Sequence, residues 1–532
     1  MTRSRTLRIV LVGALAVAAG TAAVALPLMA SAASTGYEAE SATISQGVVA
    51  SDHTGFTGTG FVDYTNVTGS YVEFTVTAPA DEAATLTFRF ANGTTTNRPM
   101  DISVNGATGT ATNFAGTGNW TTWKTMNVSA NLVAGANTIR ATATTSNGGP
   151  NLDSLTVLDG GGTPSSPPPT STGTDWSITM ANSIMAQHTA TSLSWSYPNG
   201  LYLYGQYLTY QRLAPTDPNK AKYLTYLRAW ADHYIDSSGH ISNSFGSLDS
   251  MQPGVVYLAL YEATGAAKYK AAATQIEQRL EHSNYPRVDG ALQHATSTSR
   301  ANQLWGDGTF MAVPFLARYE NQIGDGGIAR TDAINNMITY AKHLQRPDGI
   351  LWHAYDSKAT QSWVVPGTNH SPESWCRAMG WFSMASIMVL DATPANTPNR
   401  GTVISNLQKL AAGVKSYQDP NTGRWFEVVD KGAKSDNWLE TSCSSMFTYM
   451  FSRGVAQGYL SPDLGYQGAA AKGYQGVLAK VSLDGSGHIQ LADVVEGTNV
   501  GNYAYYIGRT RSATDFHGFG SFMIMNEQLR NS

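Results

Sequence analysis

The chain has 532 residues, too many for one hydrophobic core, so two or more domains are expected. Its 34 Lys and Arg against 38 Asp and Glu leave a net charge of −4. No basic block tracks along it, which argues against a nucleic-acid partner.

Residues 1–33 carry Arg3, Arg5 and Arg8, an apolar run from Ile9 to Met29, and then Ala30-Ser31-Ala32. That order is expected of a secretory signal peptide cleaved after small residues, and its Gly, Ala and Thr content disfavours a retained anchor. The protein is therefore expected to be secreted, extracellular and free of the membrane after cleavage. No later stretch is long and apolar enough to span a bilayer.

Residues 36–158 alternate in the manner of half-buried strands, as in Tyr71-Val72-Glu73-Phe74-Thr75-Val76 and Thr85-Leu86-Thr87-Phe88-Arg89-Phe90. Asn92-Gly93 and Asn105-Gly106 supply turns, so this segment is predicted to be a β-sandwich. Several words along it are distinctive: Tyr37-Glu38-Ala39-Glu40, Phe90-Ala91-Asn92-Gly93, Asn97-Arg98-Pro99, Gly118-Asn119-Trp120 and Gly149-Pro150-Asn151-Leu152-Asp153. Together they resemble carbohydrate-binding module family 35, a jelly-roll sugar binder. The resemblance implies a structural calcium held by Glu38, Glu40 and Asp153, because a hard cation wants clustered oxygen ligands. It also implies a sugar surface at Trp120 and Asn151, where an indole stacks on the ring and an amide fixes hydroxyls.

Residues 159–175 are, apart from Asp159 and Asp175 at the ends, Gly, Ser, Thr and Pro, with Pro164, Pro167, Pro168 and Pro169, and cannot bury a core. They read as an interdomain linker.

From 176 to 532 the period changes. Tyr223, Leu224, Leu227, Trp230, Ala231 and Tyr234 recur at helical spacing, one buried stripe per helix. Six stretches then share a grammar in which a polar or acidic residue precedes an apolar run: Tyr197, Asp249, Asp307, Glu373, Glu440 and Asp515. The intervals between them are 52, 58, 66, 67 and 75 residues, as expected of a repeated helical hairpin with variable loops. Pro347-Asp348-Gly349-Ile350-Leu351-Trp352-His353 and Pro420-Asn421-Thr422-Gly423-Arg424-Trp425-Phe426-Glu427 form a second internal repeat, each ahead of an acidic start. The predicted architecture is thus multidomain, an N-terminal β-sandwich (jelly roll) followed by an all-α (α/α)6 barrel whose inner-helix starts gather at one end.

An acid at a helix start is by default a cap, and that reading suits Glu440 and Asp515 best. Asp307 differs, since Gly306 and Gly308 flank it and Trp305 offers a ring wall. Glycines are expected to expose its carboxylate, and the aromatic to hold its proton to higher pH, as a general acid requires. Arg377 and Trp381 lie four apart on one helix face and suit an acidic sugar, Arg pairing its carboxylate and Trp stacking on its ring. The alternative for Arg377 is to neutralise an acid of another spoke. Cys376 and Cys443 both fall in the first turn of a spoke, where a bridge and two buried thiols are both admissible.

Five stretches carry a stronger signal in order: Leu248-Asp249-Ser250-Met251-Gln252-Pro253-Gly254, Gln303 through Met311, Trp352-His353-Ala354-Tyr355-Asp356, Ser371 through Trp381, and Thr514-Asp515-Phe516-His517-Gly518. Over roughly 350 residues they resemble glycoside hydrolase family 105, the unsaturated rhamnogalacturonyl hydrolases related to family 88. The resemblance implies Asp307 as acid/base and Asp249 as second carboxylate. It implies a sugar site at Trp305, His294, His353, Trp375, Arg377, Trp381 and Tyr197. Its chemistry is vinyl ether hydration: a proton goes to C4 of a 4,5-unsaturated galacturonyl residue, water adds at C5, and the hemiketal opens. No catalytic cofactor is implied, and the expected partners are pectic oligosaccharides or plant cell-wall polysaccharide. The rival expectations are an unsaturated glucuronyl hydrolase, an inverting glycosidase with Asp249 and Asp307 flanking the bond, a lyase on the same barrel, or a non-catalytic wall-binding protein.

Overall fold

The computed structural model describes residues 34–78, 82–107, 109–159 and 174–530. The expected signal peptide and nearly all of the expected linker lie outside the described residues. The chain divides into two compact units, Met1–Thr170 and Ser171–Ser532.

The first unit is a two-sheet sandwich of β1 (Ser34–Glu38), β2 (Thr43–Ser45), β3 (Gly47–Ala50), β4 (Phe61–Tyr64), β5 (Tyr71–Ala78), β6 (Glu82–Ala91), β7 (Met100–Val104), β8 (Thr110–Thr112), β9 (Lys124–Leu132), β10 (Gly135–Ala143) and β11 (Asn151–Asp159). One sheet runs β3-β4-β11-β6-β9 with β1 on the far part of β11, and the other runs β2-β5-β10-β7-β8. Alternation does the sorting: Val72, Phe74 and Val76 on β5 meet Leu86, Phe88 and Phe90 on β6 in one dry layer. The β11–β6 register slips between Leu152 and Ser154. That irregularity re-aims Asp153, which is the use proteins make of bulges.

The second unit alternates outer and inner helices. The outer set is α1 (Trp176–Gln187), α3 (Pro218–His233), α5 (Ala267–Glu277), α7 (Ile328–Leu344), α9 (Arg400–Ser416) and α11 (Tyr466–Leu478). The inner set is α2 (Tyr197–Arg212), α4 (Val255–Thr264), α6 (Gly306–Gln322), α8 (Cys376–Ala392), α10 (Thr441–Ala456) and α13 (Phe516–Leu529), with a short α12 (Tyr503–Ile507) before the last. Each inner helix touches the next, and α13 closes on α2, so the ring is an (α/α)6 barrel. Inner helices are apolar nearly all round because they are covered on both sides; α8 buries Cys376 through Ile387 without a break. Among the described residues no helix is long and apolar enough to cross a membrane.

Short two-stranded ribbons precede the inner helices, pairing Gln303–Trp305 with Ala354–Asp356 and Trp425–Phe426 with Leu439–Glu440. They hold the inner-helix starts of separate repeats at one end of the ring. Cys376 and Cys443 are bridged there, with Cα atoms 5.7 Å apart, tying the first turns of α8 and α10. The bridge closes 67 residues, a loop for which chain entropy gives up to about 4 kcal/mol of stabilisation. A cavity of about 560 Å³ opens at the other end, lined by Tyr204, Arg318, Asp391, Arg453 and Glu527 among others, and contains none of the predicted site residues.

Candidate active site

Asp307 is the second residue of α6, where unpaired backbone N–H groups favour an anion. It is only 7 % exposed, so the flanking glycines do not bare it as expected. Their role is to admit neighbours: a Cβ at Gly308 would stand 2.5 Å from the Tyr340 hydroxyl, and one at Gly306 would press on Ala378 of α8. Close approach of α7 and α8 is what seats the carboxylate.

Asp307 Oδ2 lies 3.1 Å from His353 Nε2, and His353 Nδ1 lies 2.6 Å from the Tyr506 hydroxyl. Tyr506 oxygen in turn accepts from Gly501 N–H at 3.1 Å. With Tyr506 donating to Nδ1, the proton on the imidazole sits on Nε2 and is given to Asp307. Burial by itself pushes the Asp307 carboxyl up, but the His353 hydrogen bond and the electrostatic influence of the two nearby imidazoles, His353 and His294, outweigh it, and the net shift is downward. The expected upward shift beside Trp305 is therefore corrected: a donated hydrogen bond at 3.1 Å outweighs the dry wall.

Asp249 takes the opposite direction. Burial raises its carboxyl, the neighbouring Asp307 charge raises it further, and His294 and Arg300 offset only part of this. It sits in the loop before α4 and caps no helix; His294 Nε2 is 3.7 Å from its Oδ2. The two carboxyls lie within each other's field and are shifted in opposite directions, so Asp249 binds a proton more readily than Asp307.

His294 stacks flat on Trp305, centroids 4.4 Å apart at 9°. Arg300 lies over the same indole at 4.4 Å, with Nη1 3.1 Å from His294 Nε2 and Nη2 donating to Asn499 at 2.8 Å. Arg300 and Asn499 were not among the predicted site residues. Arg300 sits in a loop ahead of the Asp307 strand with nothing local to mark it.

Tyr197, at the start of α2, donates to His517 Nε2 at 2.7 Å, and His517 Nδ1 donates to Asp515 Oδ1 at 2.5 Å. Asp515 and Glu440 are N-caps, as the default reading held. Glu373 precedes α8 by three residues and pairs with Lys431.

Three residues depart from their expected roles. Trp375 is 1 % exposed, pinned by its N–H to Glu427 at 2.8 Å, and backs His353 at 4.6 Å. Trp381 is fully buried against Phe310 at 4.7 Å, with the Tyr197 ring edge-on. Neither offers a face to a sugar in this geometry; both are wedges behind the site. Arg377 is 1 % exposed, and its terminal nitrogens donate to the Val495 and Glu496 carbonyls, the latter at 2.8 Å, with Glu440 3.9 Å away. The bidentate clamp gives way to the alternative role. A fully buried Glu440 requires a counter-charge, and Arg377, 3.9 Å away, supplies one.

In the sandwich, Glu38, Glu40 and Asp153 converge on the Thr57–Thr59 turn. Thr57 hydroxyl donates to Glu38 and Asp153, and Thr59 N–H donates to Glu40. Arg89 also pairs with Asp153, while Glu40 Oε2 is buried without a partner. Trp120 is half-buried, with His53 stacked at 6.0 Å and Arg98 over the ring at 5.4 Å. Asn151, 3 % exposed, is held in the β11–β6 pairing opposite Ala91, so its amide is not presented to solvent.

Residues 174–531, two thirds of the chain, match the profile of Glycosyl Hydrolase Family 88. The chain belongs to that family. Residues 38–158 match Carbohydrate binding module (family 6), which is compatible with the family 35 resemblance. The catalytic half of this family 88 chain is similar to a glycoside hydrolase from family 105 of C. acetobutylicum. That likeness has 28 % identity and a TM-score of 0.63, and covers 68 % of this chain and all of the other. A polysaccharide lyase shares the fold at 20 % identity and TM-score 0.52, over 67 % of this chain and 96 % of the other. Among curated proteins, an exo-beta-D-glucosaminidase of Amycolatopsis orientalis is 56 % identical over 124 residues. That match is 23 % of this chain and only 12 % of the relative's own length.

Proposed function

We propose that this family 88 hydrolase removes a 4,5-unsaturated galacturonyl residue from the non-reducing end of lyase-generated rhamnogalacturonan oligosaccharides by hydrating its vinyl ether. The observation that carries the reading is a pair of carboxyls, Asp307 and Asp249, shifted in opposite directions beside a histidine-backed indole. Hydration needs one proton delivered to C4 and one removed from the water that adds at C5, so a carboxyl that gives a proton and later takes one back suffices.

In the empty site Asp307 is ionised. An anionic uronate entering beside it is a like charge, which raises its proton affinity and lets it take up a proton. Asp307 then protonates C4, and the oxocarbenium-like centre at C5 takes water, whose proton returns to the carboxylate pair. His353, held by Tyr506, fixes the orientation of Asp307 throughout. With Arg377 turned to Glu440, we assign the substrate carboxylate to Arg300 and His294, beside Trp305.

The sandwich is proposed to bind polysaccharide through Trp120, and to hold a structural calcium chiefly through Glu38 and Glu40, since Arg89 already neutralises Asp153. An extracellular location rests on the residue 1–33 pattern. The deciding experiment follows the ultraviolet absorbance of the C4=C5 bond on pectic lyase products. Loss of absorbance with release of a rhamnose-ended fragment is expected. Gain would make the protein a lyase, and cleavage without change would make it an ordinary glycosidase.

A further inference from the structure

A second group of titratable side chains gathers on the outside of the ring, where α5 ends. The helix finishes in a single π-type turn, Gln278–His282, an irregularity that is rare and concentrated at functional positions. Its wider sweep brings His282 back beside Glu277, with Nε2 3.0 Å from Glu277 Oε1. Glu277 is fully buried, yet that oxygen has no hydrogen-bond partner, because the imidazole is not aligned to give one. The other oxygen accepts from Gln278 Nε2 at 3.2 Å.

Asp325, from the loop between α6 and α7, completes the group. Ligand atoms of Glu277, His282 and Asp325 all lie within 4.8 Å of one another. Asp325 is also in hydrogen-bonding reach of Glu320 on α6, and both its oxygens accept from Ala329 N–H at 3.1 Å. The one guanidinium paired with the cluster is Arg330, 3.7 Å from Glu320; Glu277 has His282 alone among the described residues. Three carboxyls thus meet, one of them fully buried, against a single guanidinium and a single imidazole.

We propose that Glu277, His282 and Asp325 bind a divalent transition ion, zinc in the first place, which staples α5 to the α6–α7 loop. An imidazole with two carboxylates is a mixed nitrogen–oxygen set that suits zinc and disfavours calcium and magnesium, whose ligands are oxygens. Two carboxylates against a doubly charged ion leave the group neutral. His282 is 39 % exposed, so a fourth position is open to water.

The test uses the full-length chain, stripped with chelator and then saturated with calcium so that any oxygen-only site is filled. Titration with zinc chloride by calorimetry is expected to give one equivalent bound, a melting temperature that climbs with zinc concentration, and visible d–d bands when cobalt replaces zinc. His282→Ala changes a partly exposed ring and is expected to weaken zinc by about tenfold or more and to erase the cobalt bands, with sugar turnover unchanged. Glu277→Gln, equal in volume, is expected to do the same. No stoichiometric zinc in the parent protein, or wild-type affinity in His282→Ala, overturns the proposal. Because His282 lies near the surface its variant folds, and it decides the matter even if Glu277→Gln does not.

Discussion

Two hydrogen-bonded chains of the same three residue types, Tyr506–His353–Asp307 and Tyr197–His517–Asp515, serve the same bowl in opposite senses. In the first, the carboxyl is the end turned to the reacting space, and the phenol sits behind it, anchored by Gly501 N–H. In the second, the carboxyl is spent as the N-cap of α13, and the phenol is the forward end, close enough to feel the charges of Asp249 and Asp307. What differs is where each acid stands on its helix. At the cap position it is used up by backbone N–H groups, whereas two residues further in, at the second residue of α6, it is left to pair with His353. Identical residue types thus yield a carboxylate in one chain and a hydrogen-bonded phenol in the other.

The largest effect expected from breaking this comparison is at its reactive end. Asp307→Asn should lower kcat/KM by about a thousandfold while leaving oligosaccharide binding intact, measured by steady-state loss of C4=C5 absorbance and by calorimetry. Retained turnover would remove Asp307 from the reaction. His353→Leu takes away the donor that holds Asp307 ionised, so a loss of about a hundredfold is expected. In that variant burial acts on Asp307 with its largest opponent gone, and the acid limb of the kcat/KM profile should move to higher pH; an unmoved limb would show that His353 merely packs. In the parent enzyme the alkaline limb should report Asp249, its carboxyl raised by burial, as activity falls when that group ionises.

Tyr197→Phe tests the second chain, where about a tenfold loss in kcat/KM is expected, because in the proposed reaction the phenol binds substrate without carrying the transferred proton. A loss as deep as that of Asp307→Asn would promote it from positioning to proton transfer.

The smallest effects are in stability, and here the two carboxyls should part in sign. Asp249, raised when folded, binds a proton that the unfolded chain has already released, so its ionisation destabilises as pH rises above its unfolded value. Asp307, depressed when folded, contributes stability that is present above its unfolded value and is lost as pH falls through its folded one. At neutral pH Asp249→Asn should therefore melt a few degrees higher than the parent, and Asp307→Asn a few degrees lower. Scanning calorimetry of both at pH 7 decides it.

Much of this molecule was legible in one dimension. The alternation of Tyr71–Val76 and the helical stripe of Tyr223–Tyr234 report which faces are dry, and burial is periodic because the backbone is. The recurring starts from Tyr197 to Asp515 disclosed the ring, since each repeat must present its own inner helix. Tertiary structure alone decided what each start does. Whether an acid caps, pairs or reacts depends on partners such as Tyr506 for His353, 153 residues away, and Arg300 over Trp305. So does the fate of Arg377: its charge is fixed by residue type, but its direction was set by Glu440, a buried anion on the neighbouring spoke. Sequence determines what chemistry a side chain owns and which side of its helix it lies on. Proton location and hydrogen-bond commitment are pairwise properties of groups brought together by closing the ring, and they exist only once it has closed.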